Sequence, residues 1–183
     1  MIKSFKQTFL SQGLDAPKWT PMEAKEDYDL RQYEGAMWAS TVVRGEPQKE
    51  ALRTGFFRLF YYIQGKNEKE TKIDMTVPVT TVVKSGCPDL HVSFFVPPVH
   101  QENPPKPTDP DVFIEERKGA AIFVRSFSGF TSVEKNTEEA QRLAQSLVRD
   151  GQCFHEDFYY TAGYDSPFKL FNRHNEVWYF KKE

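Results

Sequence analysis

Apolar residues recur along the chain in two rhythms. Over residues 47–64, Leu52, Phe56, Leu59, Phe60 and Ile63 fall at i, i+4, i+7, i+8 and i+11. That spacing predicts an amphipathic helix with these five side chains on its core stripe. Pro47 suits the first turn and Gly65 the stop. Arg53, Phe57 and Tyr61, at i, i+4 and i+8, form a second stripe turned away from that core. Two aromatics beside an arginine outside the buried face need a partner, a lid, or a covering segment of the same chain. A second helix is expected over residues 132–150, with Ala140, Leu143, Ala144, Leu147 and Val148 inward, solvated charge elsewhere, and Gly151 ending it.

The remaining apolar positions alternate as strands do, and they do so twice. Residues 29–38 and 113–122 each read as strand, tight glycine turn, strand, and the turn glycines, Gly35 and Gly119, stand 84 residues apart. Each is followed by a helix ending at glycine, Gly65 or Gly151, 86 residues apart, and then by more strand-like sequence, at 76–83 and 157–163. Near-constant spacing of three features indicates a duplication. Residues 97–110 carry six of the 12 prolines and must be an extended connection. A single repeat with one bare sheet face is marginal by itself, so the two halves are expected to share one sheet or barrel. Residues 1–18 are assigned as a tail and 19–183 as one domain. Within the tail, Ile2, Phe5, Phe9 and Leu10 would share one face of a short docking helix, and no signal-peptide pattern is present.

Composition narrows the function. A net charge of −2 lacks the basic footprint that phosphate backbones demand, which argues against nucleic acid. No apolar run approaches the roughly 20 residues of a membrane span. Aromatics reach 15%, more than a core of this size requires, so some rings line a site or belong to an aromatic-rich sheet core. Two cysteines make no disulfide framework, which points to a reducing compartment, by default the cytosol. The four histidines form no HxxxH pair and the cysteines no CxxC, so a zinc site is not expected. There is no phosphate-binding glycine loop and no GxSxG elbow; nothing in the sequence argues for an enzyme. Cys87-Pro88 has the form of a thiolate heme ligand, but it sits in a turn whose chemistry explains it without any ligand.

Four stretches carry a family resemblance: Tyr28-Asp29-Leu30-Arg31-Gln32-Tyr33; Met75-Thr76-Val77-Pro78-Val79-Thr80; Asp111-Val112-Phe113-Ile114-Glu115; and Tyr159-Tyr160-Thr161-Ala162-Gly163-Tyr164 with Asn175-Glu176-Val177-Trp178. Together they resemble the SOUL/heme-binding protein family, from about residue 19 to the end. The resemblance implies an α+β fold: a distorted antiparallel β-barrel built from two βαββ-like repeats with two flanking helices. It further implies non-enzymatic binding of heme or another porphyrin in a shallow apolar groove between the first helix and the loop 163–175, for intracellular tetrapyrrole buffering or delivery. Arg53, Phe56 and Lys169 match the family's heme-contacting positions. Phe57, Tyr61 and Phe168 could extend the bed for the plate, since heme needs rings for its faces and cations for its propionates. Gln32 stands where the SOUL branch carries a histidine ligand. Either iron goes without that bond, or His174 or Cys87 replaces it, or the affinity for heme is weak; His155 and His174 read as solvated loop histidines. The family also implies a competing role, association with mitochondria and a Bcl-2-type partner through a BH3-like helix at 138–152. The apolar face of that helix is already needed for packing, so its release would cost several kcal/mol. A different amphipathic small molecule is a third occupant for the groove.

Overall fold

A computed structural model describes residues 13–165 and 172–183. The expected N-terminal helix, and Phe168 and Lys169 of the loop, lie outside these described residues. The elements run β1 (Trp19–Ala24), β2 (Asp29–Tyr33), β3 (Ala36–Val43), α1 (Gln48–Ile63), β4 (Val79–Lys84), β5 (Leu90–Phe95), a 3-10 turn (Pro98–His100), β6 (Val112–Arg117), β7 (Ala120–Phe127), α2 (Val133–Arg149), β8 (Phe158–Gly163) and β9 (Asn175–Phe180). All nine strands pair antiparallel in one curled sheet, in the order β1-β2-β7-β9-β8-β4-β5-β3-β6. This is the α+β distorted barrel that the sequence implied.

The order records the duplication. Leaving β1 aside, it reads the same from either end when β2 is exchanged for β6, β3 for β7, β4 for β8 and β5 for β9. The midpoint is the β4–β8 pair, where Thr81 faces Thr161 and their hydroxyls bond. The strands flanking each turn glycine do not pair with each other. β2 crosses to β7 of the second half, and β6 crosses to β3 of the first. The crossings meet at Gly35 and Gly119: a Cβ on Gly35 would lie 3.3 Å from the Arg117 carbonyl and the Gly119 nitrogen, and one on Gly119 would lie 3.2 Å from the Tyr33 carbonyl. A side chain at either point would press on backbone more tightly than Cβ atoms normally do, which favours glycine.

Both helices cover one face of the sheet. Under α1 lie Ala39, Val43, Val92, Phe94 and Val112; under α2 lie Leu30, Phe123, Val177 and Tyr179. On the opposite face Tyr33, Ile122, Val124, Tyr164 and Trp178 are buried without a helix over them, because the sheet curls around them. The proline-rich connection is tied down by Tyr62, whose hydroxyl donates to the Pro105 carbonyl at 2.5 Å, and by an isolated bridge between Asn67 and Pro107.

Both helix stripes are turned from their expected positions. On α1 the buried line is Ala51, Gly55, Leu59, Tyr62 and Ile63, while Leu52 is 41% exposed and Phe56 and Phe60 sit half-buried at its edge. Gly55 is the reason. A Cβ there would come within 2.6 Å of Val92 Cγ2, so the helix backbone presses on β5 at that point and centres the contact on the small residues. On α2, Val148 is exposed and Glu139, expected on a solvated face, is buried. Arg125 and Lys135 hold its carboxylate at 2.7 and 2.9 Å.

Candidate functional site

The stripe turned away from the core exists as expected. Phe57 is 41% exposed and Tyr61 55%, and Arg53 is exposed beside them. The rings form a ladder. Phe57 and Tyr61 lie 6.2 Å apart at 34°, Phe56 meets Phe57 edge-on at 5.7 Å, and the Arg53 guanidinium sits 5.8 Å from the Phe57 ring. Among the described residues Arg53 has no carboxylate within ion-pair distance, so its charge is available to an outside anion. Phe56 belongs half to the interior, with its ring against Phe94 at 5.3 Å. The helix therefore offers an apolar plate of two exposed rings and one cation. Four of the six expected contact residues, Arg53, Phe56, Phe57 and Tyr61, are brought together here.

The candidate iron ligands lie elsewhere. Gln32 is exposed on β2, a strand of the half that α2 covers, and its amide donates only to the Tyr33 carbonyl at 3.5 Å. His174 is not a solvated loop residue. Its Nε2 lies 2.7 Å from Glu176 Oε2 and its ring stands edge-on to Tyr164. His155 is half-buried, stacked on Phe158 at 5.7 Å. Cys87 is exposed with a free thiol in the turn between β4 and β5, where Gly86 takes a positive φ of 70°. Among the described residues no group of three His, Cys, Asp or Glu side chains could hold a metal ion. Nor is any described helix long and apolar enough to cross a membrane.

The stretch 138–152 expected to resemble a BH3 helix lies on the C-terminal part of α2 and the turn after it. Leu143 and Leu147 are fully buried against β7 and β9, and Ser146 beside them is buried too.

The open face of the sheet holds a feature that the sequence reading missed. Where the strands cross, a cavity of about 330 Å³ is walled by Tyr33, Trp38, Ile122, Tyr160, Trp178 and Phe180, with Arg117 at its side. The Arg117 guanidinium lies 3.8 Å over the Trp38 ring and 5.2 Å from that of Tyr160, and its Nη2 donates to Thr80 Oγ1 at 2.8 Å. In the sequence, Arg117 sits in Glu116-Arg117-Lys118-Gly119 and passes for a polar turn. The alternation of Phe113, Glu115 and Arg117 along β6 was the available sign that it shares the helix-free face.

A family model described as SOUL heme-binding protein matches residues 14–180. Heme-binding protein 2 of Homo sapiens is 46% identical over 184 residues, covering 94% of this chain and 88% of its own. Heme-binding protein 1 of Mus musculus is 36% identical over 164 residues, covering 86% of each. Among solved structures, the C-terminal domain of EcmrR superposes with a TM-score of 0.61 at 9% identity, covering 85% of this chain and 97% of that one. That last likeness is one of fold.

Proposed function

Since the chain belongs to the SOUL heme-binding protein family, we propose that it binds heme or a related porphyrin on the outward face of α1, without catalysing a reaction, and buffers or delivers tetrapyrrole in the cell. The observation that supports this site is the exposed ladder of Arg53, Phe57 and Tyr61. A porphyrin is a flat apolar plate with carboxylates at one edge. Two rings can cover part of one face, and an unpaired guanidinium can take a propionate. Heme supplies an iron that accepts axial ligands, and α1 offers no histidine, cysteine or methionine for one. The plate is held by its face and edge.

A parallel titration of hemin and zinc protoporphyrin, followed by Soret absorbance, tests the reading. The two should bind within about tenfold of each other, roughly 1.4 kcal/mol. Failure of both to bind overturns the function. Hemin binding more than about a hundredfold tighter overturns the ligand-free mode, and single substitutions of His174 and Cys87 would then locate the iron bond.

A further inference from the structure

The cavity on the open face plays no part in heme binding at α1, yet it has the chemistry of a site. Its walls are aromatic, and its size falls at the small end of the roughly 300–1,000 Å³ typical of small-molecule clefts. One cation flanks it. The two arginines of this face differ sharply in how they are compensated. Arg31 has the Glu176 carboxylate at 3.1 Å. Among the described residues, Arg117 has no carboxylate within ion-pair distance. The nearby Glu115 is engaged by His91 at 2.8 Å and Ser40 at 2.6 Å. Apart from the Nη2 bond to Thr80, the Arg117 nitrogens have no hydrogen-bond partner among the described residues. Burial lowers the Arg117 pKa, only partly offset by Tyr160 and Glu115, as expected for a desolvated cation lacking a contact anion. At the rim, Glu34 and Lys118 carry opposite charges and leave Arg117 to set the sign of the ligand.

We propose that this cavity is a second ligand site, for a small flat aromatic carboxylate whose anion pairs with Arg117 and whose ring lies among Trp38, Tyr160 and Trp178. The guanidinium, 3.8 Å from the Trp38 ring centre and bonded to Thr80 through one Nη2 hydrogen, has further N–H groups to donate to a carboxylate. The single cation suits a monoanion, and the aromatic walls suit one or two fused rings; a porphyrin plate exceeds the space. Both repeats contribute at equivalent positions, Tyr33 and Arg117, Trp38 and Ile122, each pair 84 residues apart. Divergence at these positions converts a symmetric crossing into a cleft with one charged side. The inference stands whether or not heme binds α1.

The test uses the full chain with 1-naphthoate and its uncharged analogue 1-naphthamide, read by calorimetry and by the tryptophan indole N–H signals in NMR. Naphthoate should bind at least tenfold tighter than naphthamide and shift the Trp38 and Trp178 signals. Arg117→Gln should bring naphthoate down to the naphthamide level. Ala120→Leu, which fills the cavity and leaves the cation, should remove binding of both, so the site stays testable even if Arg117→Gln unfolds the chain. Tyr61→Ala on α1, which should weaken hemin, should leave naphthoate binding unchanged. Equal affinities for the two probes, an unaffected Arg117→Gln, retained binding in Ala120→Leu, or loss of binding in Tyr61→Ala would each overturn the proposal.

Discussion

Arg31 and Glu176 meet on the helix-free face with Nη1 and Oε2 3.1 Å apart, both buried from solvent. The carboxylate also accepts from the Tyr164 hydroxyl and the Trp178 indole at 2.9 Å each, and His174 Nε2 lies 2.7 Å away. The duplication holds a counterpart with the polarity reversed. Glu115, 84 residues after Arg31, pairs with His91, 85 residues before Glu176. The same two strand positions thus join a carboxylate to a basic side chain across the two repeats, once in each sense.

This pair predicts an acid-labile contribution to stability. Burial pushes the Glu176 carboxyl up, but Arg31, His174 and Trp178 outweigh it and hold it at about 2, below the ordinary 4.5. A depressed folded-state pKa adds stability that is present above 4.5 and lost as pH falls toward 2. Glu176→Gln leaves the buried guanidinium with Asp29 at 3.9 Å in place of the direct contact and should cost up to about 3–5 kcal/mol at pH 7 in urea unfolding. The gap between wild type and variant should narrow from pH 5 to pH 3. Asp150 is depressed into the same range, so the comparison with the variant isolates Glu176. A gap independent of pH would refute the assignment.

Gly55 sets how closely α1 approaches the sheet. Alanine normally favours a helix interior over glycine by about 1 kcal/mol. Here its Cβ would meet Val92 Cγ2 at 2.6 Å. Overpacking of this kind typically costs about 1–3 kcal/mol. Gly55→Ala should therefore destabilise the chain, and adding Val92→Ala should recover part of the loss. A stabilising Gly55→Ala would show that the helix shifts freely.

The same contact shows where the sequence could be read and where it could not. The spacing of Gly35, Gly119, Gly65 and Gly151 disclosed the two repeats, because helix stops at Gly65 and Gly151 and the close strand crossing at Gly35 and Gly119 each favour glycine. Periodicity also placed both helices within a residue or two. It could not reveal that β2 and β6 change places, since alternation tells a strand which face is buried but not which strand lies beside it. The rotation of the α1 stripe had the same cause: a glycine scores as neutral in an apolar pattern, yet Gly55 marks the closest approach. Arg53, Phe57 and Tyr61 were legible because a helix stripe is fixed by the chain itself. The Arg117 cavity was not, being assembled from six strands.

On the α1 face, binding and stability should separate. Arg53→Ala removes a surface charge and should change stability by less than about 0.5 kcal/mol. A charge-assisted bond to a carboxylate is worth on the order of 1.5–3 kcal/mol before solvent exposure discounts it. Arg53→Ala should therefore weaken hemin several-fold at an unchanged melting temperature. Hemin dimethyl ester, lacking the carboxylates, should bind wild type and variant alike. An ester that still discriminates places the propionate elsewhere.

The stacking half of that surface is tested separately. Phe57 is 41% exposed and Tyr61 55%, so Phe57→Ala and Tyr61→Ala remove partly buried rings. Each should cost about 1–3 kcal/mol in urea unfolding, less than the about 3–5 kcal/mol of a fully buried aromatic. Each should also weaken hemin and its dimethyl ester to the same degree, because the rings contact the plate and not its propionates. Normal hemin affinity in both variants would move the porphyrin off α1.

The remaining prediction concerns α2 as a partner-binding helix. Leu143 and Leu147, the leucines a hydrophobic groove would need, are fully buried against the sheet. Each buried leucine is worth about 1.5–3 kcal/mol of transfer free energy. Glu139 adds ion pairs to Arg125 and Lys135 that release would break. Freeing the helix therefore costs at least about 3–6 kcal/mol, which weakens any groove interaction of the folded chain by a factor of about 10²–10⁴ relative to the free helix. A peptide of residues 138–152 should bind a Bcl-2-type groove, while the folded chain should bind at least a hundredfold more weakly under native conditions. Leu143→Ala, which costs about 2–5 kcal/mol in stability, should abolish peptide binding. Fluorescence polarisation of the labelled peptide, with folded chain as competitor, reads both effects. Competition by the folded chain at the peptide's own affinity would show that α2 leaves the sheet far more easily than its burial allows, and would favour the interaction role over the binding of heme.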